Sequence, residues 1–70
     1  MNKYVVEHVV GDNSMELAVF TEKDAALTWA KENYKAIISN GGIVTVAQTD
    51  FDDNGKRTNP SKWRSIKSFF

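Results

Sequence analysis

Between Thr21 and Asn40 the apolar residues recur at helical spacing, and on both sides of that stretch they recur at strand spacing. At ~100° per residue, Ala26, Leu27, Ala30, Tyr34, Ile37 and Ile38 share one stripe, while Thr28, Lys31, Glu32 and Lys35 fall opposite. A single helix with one apolar stripe must bury it against something. The flanking β-type segments offer a sheet as the only large partner.

The first flank is Tyr4 to Val10, rich in β-branched residues and read as a strand. Gly11-Asp12-Asn13-Ser14 is turn material, and Met15 to Phe20 then alternates. That alternation places Met15, Leu17 and Val19 on one face and Glu16, Ala18 and Phe20 on the other. Together these residues predict an antiparallel hairpin around a four-residue turn. Thr21 reads as the helix N-cap, with Glu22 and Asp24 in the first turn, where the helix dipole favours negative charge. Asn40-Gly41-Gly42 ends the helix, because Gly readily takes a left-handed conformation.

Ile43 to Thr49 predicts a third strand, apolar on both faces at its start, which suits a central position in the sheet. Asp52-Asp53-Asn54-Gly55 reads as a turn. The last segment fits two patterns. As a helix, Asn59 caps it, Pro60 takes the first position, and Trp63, Ile66, Phe69 and Phe70 share a stripe. As a strand its two faces separate poorly, although the Asn-Gly turn calls for a returning strand. The helical pattern is the cleaner and is preferred. The expected fold is α+β: a small antiparallel sheet with one helix on a face, in the order β-β-α-β, followed by a short C-terminal helix or a fourth strand.

Size limits what this fold can do. Seventy residues make a single small domain, 1–70. Such a chain buries only ~60% of its unfolded surface, and with no Cys it has no disulfide to reinforce it. Self-association is the common remedy, so a homodimer is expected. There is little room for a ligand cleft of ~300 Å³ beside the core. No apolar run reaches the ~20 residues of a membrane span, so no membrane partner is expected. Glu7 and His8 interrupt the apolar stretch an export signal would need, and a cytoplasmic location is expected.

Charge is split along the chain. Residues 1–54 carry four Lys against nine Asp or Glu, a balance of −5. Residues 55–70 carry Lys56, Arg57, Lys62, Arg64 and Lys67 with no acid, a balance of +5. A cationic, aromatic segment such as Lys62-Trp63-Arg64 with Lys67 can neutralise phosphates and stack an unpaired base. It can equally be the solvated flank of a buried aromatic stripe. Overall neutrality disfavours a dedicated nucleic-acid domain. Trp29 lies beside the core stripe, next to Ala25, Asn33 and Ala36, where it either covers the sheet's rim or anchors an interface.

Other motifs carry little chemistry. Asp50-Phe51-Asp52-Asp53-Asn54-Gly55 matches the front of a calcium loop, but Ser61 stands where a closing Glu is needed, so an ordinary turn is expected. His8 shares a strand face with Tyr4, Val6 and Val10, while Glu7 points to the other face, so His8 reads as structural. There is no P-loop, dinucleotide fingerprint or zinc-protease motif. No enzyme activity, cofactor or metal is expected.

The expected function is a small non-enzymatic protein-binding module, with Trp29, Lys62, Trp63, Arg64 and Lys67 as partner-binding residues. By size and style, though by no family motif, it suits an accessory or inhibitor protein of bacterial or phage origin acting on a host protein. The alternatives are a dimer binding single-stranded nucleic acid through the basic aromatic segment, and a small-molecule or nucleotide sponge at a dimer interface.

Overall fold

The computed structural model describes residues 2–56 and 64–70. Among the described residues, four strands and one helix follow in the order β1 (Asn2–Val10), β2 (Asn13–Phe20), α1 (Lys23–Ile37), β3 (Ile43–Asp50) and β4 (Arg64–Phe69). A short 3-10 turn, Ile38–Asn40, extends the end of α1. The strands form one antiparallel sheet in the order β2-β1-β3-β4, and the α+β architecture is the one expected.

The hairpin is tighter than the sequence suggests. Val10 pairs with Asn13, leaving only Gly11 and Asp12 in the loop. Gly11 has φ +59° and Asp12 does not have positive φ, the pattern of a type II′ turn with Gly at its first central position.

Strand β2 also departs from simple alternation. Val6 pairs with Ala18 and Glu7 with Glu16, so Leu17 is an extra, bulged residue. The bulge resets the faces. Ala18 and Phe20 pack towards the helix, together with Leu17, whereas Met15 and Val19 are 62% and 40% exposed. Leu17 therefore joins Ala18 and Phe20 on the core side, while Met15 and Val19 stay outside.

The helix behaves as its periodicity requires. Ala26 and Ala30 are fully buried against Val6, Val44 and Val46, with Leu27, Tyr34, Ile37 and Ile38 packed around them. Small residues at the centre of the stripe let the helix lie close to the sheet. Thr28, Lys31, Glu32 and Lys35 are exposed. The N-cap is Glu22 rather than Thr21, with extended backbone and no side-chain cap. The backbone N–H of Ala26 donates to the Glu22 carbonyl at 3.3 Å to open the helical ladder.

At the other end of α1, Gly41 and Gly42 both have positive φ. A Cβ on Gly42 would meet the Val9 carbonyl oxygen at 2.5 Å and His8 Nε2 at 2.9 Å, so the chain must be bare there to pass the end of β1.

Residues 64–69 form a strand, not the preferred C-terminal helix. Strand β3 is the physical reason. Val44, Thr45, Val46 and Ala47 are all buried, and the backbone groups along their outer side need partners that only another strand can supply. β4 pairs with β3 from Val44–Phe69 to Gln48–Arg64, with Ile66 as a second bulged residue. Thr45 and Ser68 hydroxyls meet across this pair at 3.2 Å. Of the expected helical stripe, Phe69 packs on the core and Phe70 is 85% exposed. Asn59, Pro60 and Trp63 lie outside the described residues.

The sheet is buried on both sides at its centre. Facing away from α1, Val5 and Ala47 are fully buried, and Glu7, Thr45, Thr49 and Phe51 are nearly so. The side chain of Lys3 reaches over the Phe51 ring, with Nζ 5.4 Å from its centroid.

Candidate functional site

The helix crosses the strands obliquely. At its middle, Trp29 lies against Phe20 at the end of β2, with ring centroids 6.3 Å apart and planes inclined by 51°. Five residues on, Tyr34 lies against Phe69 of β4, with centroids 5.1 Å apart. The two aromatic pairs mark opposite rims of the sheet.

On the β2 rim, the space between α1 and Phe20 is an open groove of about 480 Å³. Phe20, Ala25, Thr28 and Trp29 form its apolar side, and Glu22, Asp24 and Glu32 supply three carboxylates without a cation. The groove exceeds the space expected for so short a chain because it lies on the surface, outside the core.

Local structure explains how these groups meet. Phe20 is the last residue of β2, and Thr21 and Glu22 turn the chain directly into α1. Glu22 and Asp24 are held at the start of the helix, where its dipole favours negative charge. Thr28 and Glu32 follow on the same helical face, one turn apart. Trp29 is half-buried, and its backbone carbonyl accepts a bond from Asn33 Nδ2 at 2.7 Å. The indole thus covers the rim and also presents part of itself to solvent.

The remaining expected partner-binding residues sit elsewhere. Arg64 is exposed at the start of β4, opposite Gln48. Lys67 is exposed in the same strand, with Nζ 5.2 Å from the centroid of its own Phe69. Lys62 and Trp63 lie outside the described residues. The fold separates Trp29 from Arg64 and Lys67 by the width of the sheet, since β2 and β4 are its two edges. Among the described residues, Trp29 thus lies at one edge of the sheet and Arg64 and Lys67 at the other.

The acidic carboxylates were the part of the groove that residue-by-residue reading missed. Glu22 and Asp24 are recognisable as first-turn charges, but their proximity to Phe20 depends on how β2 enters the helix. The signal was the shortness of that connection.

Two other candidates resolve into structure. Asp52 Oδ1 accepts backbone N–H bonds from Asn54 at 2.8 Å and Lys56 at 2.9 Å, and Gly55 turns with φ +80°. The calcium-like segment is thus a turn organised by its own carboxylate, while Ser61 lies outside the described residues. Among the described residues no group of three or more His, Cys, Asp or Glu could hold a metal ion. His8 donates from Nε2 to the Gly41 carbonyl at 2.9 Å, a structural tie. No helix among the described residues is long and apolar enough to cross a membrane.

Comparison with protein-family models, with curated proteins and with solved structures finds no match to this chain.

Proposed function

We propose that this chain is a small non-enzymatic protein-binding module whose contact surface is the groove beside Trp29. The observation that carries this reading is the pairing of a half-buried Trp with an apolar wall and a one-signed rim. Trp is among the residues most enriched at the energetic centres of interfaces, because it combines large area with few rotors. The groove's rim of Glu22, Asp24 and Glu32 would select against anionic surfaces, so the partner is a protein with a cationic contact segment. An accessory or inhibitor role towards a host protein in the cytoplasm fits a domain of this size and is part of the proposal.

The test uses immobilised protein and three variants. Wild type should retain a partner that Trp29→Ala and Thr28→Arg both lose. Lys67→Ala, on the opposite rim, should retain it. Thr28 is exposed, so Thr28→Arg fills the groove without disturbing the core. Equal retention by wild type and both groove variants, with circular dichroism unchanged, would remove this surface from consideration.

Self-association belongs to the same proposal. β2 is an edge strand, and Met15 and Val19 are exposed along it. An open edge with apolar side chains is a template for a second copy of the same strand. The nucleic-acid alternative rests, among the described residues, on Arg64 and Lys67. It predicts oligonucleotide affinity that falls steeply with salt.

A further inference from the structure

We infer that the groove beside Trp29 receives an arginine side chain from an exposed segment of the partner protein, with an apolar neighbour of that arginine resting on Ala25. This rests on the protein-binding reading above and names what occupies its site.

Two observations converge on a cation. First, the Phe20 and Trp29 planes are inclined by 51° with centroids 6.3 Å apart, so neither ring's face is fully covered by the other. An aromatic face attracts a cation through its quadrupole, Trp most strongly. Second, among the described residues the rim carries Glu22, Asp24 and Glu32 and no Lys or Arg. Phosphates and carboxylates would be repelled there. A planar guanidinium suits such a site better than an ammonium, because it stacks on an aromatic ring while its edge donates to carboxylates.

The carboxylates are not equivalent. Glu22 and Asp24 sit at the positive end of the helix dipole, which offsets part of their pull on a cation. Glu32 lies more than two turns further along, beyond the reach of that end's dipole. It should therefore matter most.

The experiment is a titration of the isotopically labelled 70-residue protein, followed by amide resonances, with two blocked peptides. One is acetyl-Gly-Leu-Arg-Gly-Leu-Arg-Gly-amide. Its twin carries citrulline, a neutral isostere, at both arginine positions. The expected result is saturable shifts confined to residues 20–32, with affinity at least about tenfold weaker for the citrulline twin. Glu32→Gln should weaken the arginine peptide by several-fold and leave the twin unchanged.

Equal binding of both peptides in the groove would overturn the cation assignment while leaving the protein-binding reading in place. Binding of neither peptide, with partner capture still sensitive to Thr28→Arg, would do the same. Partner capture insensitive to every groove variant would instead remove the reading beneath it. Self-association that Thr28→Arg abolishes would also overturn the proposal, by making a second copy the occupant.

Discussion

His8 and Gly41, thirty-three residues apart, are joined by a 2.9 Å hydrogen bond from the imidazole Nε2 to the backbone carbonyl. The bond ties the middle strand β1 to the turn that delivers β3 beside it. The histidine therefore carries its proton on Nε2 in this contact, since a carbonyl can only accept.

Replacing His8 with Ala should lower the unfolding free energy by about 0.5–1.5 kcal/mol, the usual net worth of one such bond. Urea denaturation measures it directly. Unchanged stability would show that solvent takes over the Gly41 carbonyl at no cost.

Gly42 sits against the same strand end and should tolerate change less well than its neighbour. Both Gly41 and Gly42 have positive φ, so Ala strains the backbone at either place. Only at Gly42 does the added Cβ also collide with the Val9 carbonyl oxygen, at 2.5 Å. Gly42→Ala should cost more than Gly41→Ala by about 1 kcal/mol or more. The opposite ranking in thermal melts would contradict the close approach of this turn to β1.

Thr49 offers a gain. Its side-chain oxygen is buried with no hydrogen-bond partner, and the residue is 1% exposed. Leaving a buried hydroxyl unsatisfied costs about 1–3 kcal/mol. Thr49→Val keeps the shape and removes the polar atom, so stability should rise by about 1 kcal/mol. A loss of stability on denaturant unfolding would mean that the hydroxyl has a use in the folded protein.

The Tyr34–Phe69 contact should be what fixes β4 to the helix. In a double-mutant cycle with Tyr34→Ala and Phe69→Ala, the coupling should be about 0.5–1.5 kcal/mol. A coupling near zero would mean that backbone pairing with β3 alone holds the last strand.

Along the other edge, Val19→Lys should suppress self-association, because a charge on an edge strand is a standard barrier to edge pairing. Light scattering against concentration gives the answer. Identical behaviour of the variant and the wild type, both self-associated, would place the contact elsewhere.

How far the sequence reached depends on whether the deciding contact was local. The stripe from Ala26 to Ile38 was legible because one element's own periodicity decides which residues face the core. The hairpin was legible through Gly11, though its loop length was not. The pairing of Ala18 with Phe20 was legible from alternation, but the side Leu17 takes was not, since a bulge leaves no trace in an alternating pattern. Strand β4 was misjudged because six residues fit either period, and the deciding factor was the unsatisfied side of β3. Trp29 was visible as a residue beside the stripe. The groove it lines was not, because Phe20 and Glu32 belong to different elements and meet only in the folded chain.

The strand order β2-β1-β3-β4 also sets a schedule for synthesis. Every buried member of the helix-side core, from Val6 to Val46, leaves the ribosome before β4 does. The nascent chain can therefore bury that core while β3 still presents a raw outer edge. During that interval it is exposed to pairing with a neighbouring nascent copy, a characteristic hazard of incomplete sheets. The hazard ends when β4 pairs with β3 and closes that edge.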